Sequence, residues 1–137
     1  MASQRKSIGK QHFEALSDFR FRLRSFLRFS EDAAQAEGVT PQQYLLLLHI
    51  KGYPGREWAS VGELAERLQS QHHSVVALVT RCEKLDLVKR VASTADRRQV
   101  EIHLLPAGER CLAKLAALHH AELNTLSDTF HVPNINS

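Results

Sequence analysis

Three groups of residues have types and spacings that could do chemistry. Asp96-Arg97-Arg98 lies in a polar stretch, Ser93–Gln99, between two β-rich segments. An arginine at such a tip can enter the narrow minor groove of duplex DNA, where the negative potential is enhanced, and a neighbouring carboxylate can hold its guanidinium in place. Asp96 is spaced to do this for Arg98. The second group is Gln71, His72, His73, Val76, Ala77, Thr80, Arg81 and Lys84. If a helix starts there, it would fit the major groove, about 12 Å wide, with its N-terminal amides and dipole attracting phosphate. His73, Val76, Ala77 and Thr80 would then face base edges, and Gln71, His72, Arg81 and Lys84 would meet phosphates. The third group, Tyr44, His49, Tyr53 and Trp58, could line a small-molecule pocket or equally fill the core, while the more distant His119 falls on an apolar stripe where a hydrogen-bonded core or interface histidine is the default and a pocket role the alternative.

Other chemistry finds no support. The serines lack a G-x-S-x-G elbow, no glycine-rich loop is built to cradle phosphate, and there is no H-E-x-x-H, so an enzyme is not expected. His72-His73 and His119-His120 are adjacent pairs, and neighbours on a helix diverge by about 100°, which defeats chelation by the pair. No metal or cofactor is expected. Cys82 and Cys111 form neither a C-x-x-C pair nor a disulfide framework, which fits inert thiols in a reducing cytoplasm.

The 137 residues, 43% apolar and 24% charged, suit one globular domain spanning the whole chain. The longest apolar run, Tyr44–Leu48, is far too short to span a membrane. The Ser-rich basic start reads as a frayed tail rather than a targeting segment, since Glu14 and Asp18 follow at once. Net charge is only +3, but its placement is uneven. Residues 1–28 hold seven Lys/Arg against two Asp/Glu, and residues 67–98 hold seven against three. The segments 29–66 and 99–137 are acidic. Two basic zones between acidic ones are expected where part of the surface meets a polyanion. Arg20, Arg22, Arg24 and Arg28 read as a solvated helix face rather than a membrane contact.

The elements that must position these residues follow from periodicity. Phe13, Leu16, Phe19, Leu23, Phe26 and Leu27 recur at three and four, predicting a long first helix that ends near Glu37-Gly38. Phe19–Arg24 also alternates with period two, but the helical template covers more residues. Thr40-Pro41-Gln42-Gln43 and Ser60-Val61-Gly62-Glu63 are capping boxes for helices running to about Lys51 and Leu68. In the next helix Val75, Leu78, Val79, Cys82 and Leu85 share one side and are expected to be buried. Val88–Ala92 and Val100–Leu104 form a hairpin, and Pro106-Ala107-Gly108-Glu109 opens a last helix reaching about Phe130.

The expected fold is therefore mainly α with a small β-hairpin wing: a winged helix-turn-helix over about 40–104, flanked by long helices at about 10–37 and 106–130. At Leu64-Ala65-Glu66-Arg67-Leu68, Val75 to Glu83, Leu87-Val88 and Asp96-Arg97-Arg98 the chain resembles the MarR family, with likeness from about Phe13 to Leu126. The resemblance implies a homodimer built from the first and last helices, binding a pseudo-palindromic double-stranded operator. It further implies a transcriptional repressor relieved by a small-molecule effector. The chain departs from the family at Gln69, where a Gly is frequent, so an ordinary backbone conformation is expected there. Asp86 also replaces Gly but tolerates the left-handed region. Leu105 replaces a capping Thr, and Ala77 a base-contacting residue. Ala77 motivates a rival reading: a winged-helix protein-interaction module that has lost DNA reading.

Overall fold

The computed structural model describes residues 7–125. In chain order the elements are α1 (Lys10–Ala36), α2 (Pro41–Lys51), β1 (Trp58–Ala59), α3 (Val61–Leu68), α4 (His72–Lys84), β2 (Val88–Ala92), β3 (Val100–Leu104) and α5 (Pro106–Thr125). Among the described residues no helix is long and apolar enough to cross a membrane. The expected tail at the start, and the continuation of the last helix past Thr125 to Phe130, lie outside the described residues.

Both capping boxes form. The Thr40 hydroxyl accepts from the Gln43 amide at 3.1 Å while the Gln43 side chain accepts from the Thr40 amide at 2.9 Å. Ser60 and Glu63 exchange the same pair of bonds. Each box satisfies amides that a helix start leaves open. The helix α2 begun by Thr40 is the hub of the fold. It touches the other four helices and strands β1 and β3, with Leu46, Leu47 and Ile50 fully buried. Contact with so many neighbours accommodates the unbroken run Leu45–Leu48, in which Leu46 and Leu47 are fully buried and Leu45 and Leu48 partly so. Leu64, Val75, Val79, Cys82, Val88, Ile102 and Leu115 complete the core around it.

Two local readings are corrected. Leu85 is 49% exposed rather than buried with the α4 stripe. It is the C-cap, after which Asp86 turns through the left-handed region at φ 57° and sends Leu87 inward instead, to 6% exposure. Gln69 does not relax to an ordinary conformation: it keeps φ 52°, the geometry the family's glycine takes without strain. The Gln69 side-chain amide donates to the Glu66 carbonyl at 2.7 Å, offsetting part of that cost.

The hairpin pairs as expected, Val88 opposite Leu104 through Ala92 opposite Val100. A third strand was not foreseen: β1 lies antiparallel to β3, Trp58 opposite His103 and Ala59 opposite Ile102, giving the order β1-β3-β2. Two residues are too few to show any period.

In α1, where Phe19–Arg24 is helical, only Ala34 is buried. Phe13 and Leu16 are each 57% exposed and Leu27 46%, while Leu118 and Leu123 of α5 are exposed as well. The two long flanking helices thus carry apolar side chains that the described residues leave uncovered.

Candidate nucleic-acid interface

Helices α3 and α4 meet through a tight turn at Gln69-Ser70, closed by the Ser70 amide donating to the Ala65 carbonyl at 3.0 Å. Gln71 is the N-cap of α4, and its side chain makes no capping bond. The Ser74 amide donates to the Gln71 carbonyl at 3.1 Å, and the amides of His72 and His73, without the side-chain acceptor a Ser or Asp cap would supply, are left for an outside acceptor. His72, His73, Val76, Ala77, Arg81 and Lys84 are exposed, and Val75, Leu78, Val79 and Cys82 are buried behind them.

Thr80 sits at the edge of this exposed face. It is half-buried; its hydroxyl donates to the Val76 carbonyl at 3.0 Å and accepts from Arg90 at 3.1 Å, so both hydrogen-bonding capacities are engaged within the fold. Arg90, on β2, also pairs with Glu83. Nothing in the sequence flagged Arg90, because strand periodicity places it in the hairpin without saying that the hairpin lies against α4.

The wing tip is a hydrogen-bonded turn. The buried Ser93 hydroxyl accepts from the amides of Ala95 and Asp96, both at 3.2 Å, and the Gln99 amide donates to the Asp96 carbonyl at 3.0 Å. Asp96 does not hold the Arg98 guanidinium, as the spacing suggested. Its carboxylate accepts instead from the Arg98 backbone amide at 2.9 Å, the local turn that an aspartate forms with the residue two ahead. The side chains of Arg97 and Arg98 stand exposed at the end of this turn. Ser93 was missed, although S-x-x-D is the pattern through which a serine collects the amides that follow it.

Tyr44, His49, Trp58 and His119 do not converge. Tyr44 stacks on His119, ring centroids 4.7 Å apart and 12° between planes, with Phe26 and Phe29 edge-on to the same imidazole. His119 is buried with both ring nitrogens bonded, Nδ1 to the Leu115 carbonyl at 2.6 Å and Nε2 to the Ser30 hydroxyl at 2.7 Å. This is a satisfied core histidine joining α5 to α1 and α2. Trp58 faces His103 and the Arg56 guanidinium, the latter 3.8 Å from a ring centroid of the indole. His49 is half-buried, and burial with the nearby Arg67 charge holds its pKa below the ordinary histidine value.

No cluster of three or more potential metal ligands occurs among the described residues. Burial, with the nearby Cys111, pushes the Cys82 thiol up to about 11, which makes it a poor nucleophile near neutral pH.

Residues 37–99, the span of α2 to the wing tip, match the model of the MarR family. An HTH-type transcriptional regulator of Bacillus subtilis, YsmB, is 31% identical over 98 residues, covering 67% of this chain. This chain spans 61% of that relative's length. The crystal structure of AbsC, a MarR family transcriptional regulator from Streptomyces coelicolor, superposes with a TM-score of 0.73 at 21% identity. The superposition covers 94% of this chain and 86% of AbsC. A mutant of Staphylococcus aureus MepR bound to an oligodeoxyribonucleotide superposes with a TM-score of 0.67 at 16% identity, over 91% of this chain and 86% of MepR. The chain belongs to the MarR family.

Proposed function

We propose that this protein is a DNA-binding transcriptional regulator that acts as a homodimeric repressor on a pseudo-palindromic operator. The observation that carries the reading is the basic surface made by the exposed Arg81 and Lys84 of α4 together with Arg97 and Arg98 at an ordered wing tip. In this reading His73, Val76 and Ala77 meet base edges, Gln71, His72, Arg81 and Lys84 meet phosphates, and Arg98 enters the minor groove. Thr80 offers a methyl group rather than a hydroxyl, which suits contact with a thymine methyl. Because few of these side chains form bidentate base contacts, the wing arginines and DNA shape carry a large share of recognition. The MepR neighbour bound to an oligodeoxyribonucleotide supports the mode of use by analogy of fold.

The homodimer rests on the apolar side chains of α1 and α5 that the described residues leave uncovered. Relief by a small-molecule effector would change the separation of the two recognition helices. The test is duplex affinity as a function of salt. A steep fall is expected, and Arg98→Ala should weaken binding about tenfold or more and flatten the slope. Binding that is absent, or indifferent to salt, would instead support a winged-helix protein-interaction module.

A further inference from the structure

Arg90, midway along the edge strand β2, stands opposite the fully buried Ile102 of β3, and its side chain reaches across to α4. One guanidinium nitrogen pairs with the Glu83 carboxylate; the other donates to the Val76 carbonyl at 3.3 Å and to the Thr80 hydroxyl at 3.1 Å. Residues 76, 80 and 83 follow one another at four and three, so the contacts form a single row along one flank of the helix, between its buried side and the exposed His73 and Ala77. Three simultaneous contacts from a rigid planar fork define an orientation in a way one flexible contact cannot.

The row has two consequences. The strand leading to Arg97 and Arg98 is fastened to the helix that carries His73 and Ala77, so the groove-reading face and the wing tip keep one spacing. The Glu83 carboxylate, which would repel phosphate, is neutralised within the fold. We propose that Arg90 is a positioning residue that sets the angle between the recognition helix and the wing, and so the discrimination between duplex sequences, without itself touching DNA. This rests on the DNA-binding reading above. A residue that contacts phosphate supplies affinity to every sequence and adds to the salt dependence; a residue that aligns two reading elements supplies affinity only where both fit.

The experiment compares the full chain with Arg90→Gln, Arg90→Lys and Glu83→Gln. The probes are a duplex that the wild type enriches from a random-sequence pool and a random duplex of equal length. Arg90→Gln is expected to lower the ratio of the two affinities at least tenfold with the salt slope unchanged, because any repulsion from the uncovered Glu83 carboxylate falls on both duplexes alike and leaves the ratio alone. Arg90→Lys, which keeps the charge but not the fork, should recover less than half of that loss on a logarithmic scale. Glu83→Gln should lower the ratio too, and it decides alone if a thermal melt shows Arg90→Gln to be unfolded. An unchanged ratio in a folded variant overturns the proposal. So does full recovery by lysine, or a slope that falls by about 0.9 per chain while the ratio holds, the mark of a lost phosphate contact. If the wild type itself enriches no duplex, the DNA-binding reading fails first, and that outcome is distinct from the others.

Discussion

A Cβ built on Gly108 would lie 2.1 Å from the carbonyl oxygen of Leu87. The first turn of α5 is pressed against the backbone entering β2, and the same carbonyl accepts the Leu105 amide at 2.9 Å. The helix assigned to dimerisation and the base of the wing therefore meet backbone to backbone.

Gly108→Ala is expected to destabilise the protein, by about 1–3 kcal/mol or more, because a methyl group in that space must push two backbones apart. A fall in the urea midpoint at unchanged m-value would show it. An unchanged midpoint would mean that the close approach relaxes at little cost. Gly62, whose added Cβ meets nothing within 4 Å, is the control.

The need for glycine at position 108 was not legible in the sequence, where Pro106-Ala107-Gly108-Glu109 marks a helix start and nothing more. The same limit runs through the site. Thr40, Gln43, Ser60 and Glu63 announce their helices because capping is local, decided within four residues. The ends of β3 were legible because alternation over five residues is also local, and those of β2 because a β-rich segment precedes the polar tip. Arg90 on Thr80, Ser30 on His119 and Trp58 on His103 are contacts across the fold, and no period records them. Asp96 is the instructive intermediate. Its importance to the wing was readable, but the sequence could not say whether the carboxylate would take a guanidinium or the nearer backbone amide. The amide two residues on is held in reach by the turn itself, whereas the guanidinium must give up rotamer freedom to come back.

Acid should weaken the fold in two stages. The His49 pKa lies below its ordinary 6.5, lowered by burial and by Arg67. Burial raises the Glu63 carboxyl, but hydrogen bonds from Tyr53 and Ser60 and the Arg56 charge outweigh it and leave the group below its ordinary 4.5. In both cases the unfolded chain binds the proton more readily. The stability each group contributes is therefore complete above its unfolded pKa and is lost as pH falls through the folded one. Urea midpoints should begin to drop below about pH 6.5 and drop further below about pH 4.5. Glu63→Gln should flatten the second stage and leave the first. An unaltered lower limb in that variant would show that other carboxylates account for it.

The uncovered apolar side chains of α1 and α5 predict an association state. Placing a carboxylate there, as in Phe13→Asp with Leu16→Asp, should shift sedimentation from dimer toward monomer, because a buried unpaired charge is costly at an interface. Neither residue touches the core, so the far-ultraviolet signal of the winged-helix region should persist. A wild-type chain that sediments as a monomer at micromolar concentration would remove the dimer from the proposed function.

Ser93 offers the sharpest separation between holding the wing and reading DNA. Ser93 is buried, and its hydroxyl accepts from two amides of the tip. Ser93→Ala leaves those amides without their acceptor, a loss of about 1 kcal/mol by comparison with helix caps. The tip would then sample other conformations, and Arg97 and Arg98 would have to be reordered on binding. Duplex affinity is expected to fall several-fold, and trypsin should cut after Arg97 or Arg98 faster than in the wild type. Because both arginines remain and still release counterions once bound, the salt slope should stay near the wild-type value, unlike that of Arg98→Ala. A slope that falls as far in Ser93→Ala as in Arg98→Ala would show that the loosened wing no longer reaches the DNA at all.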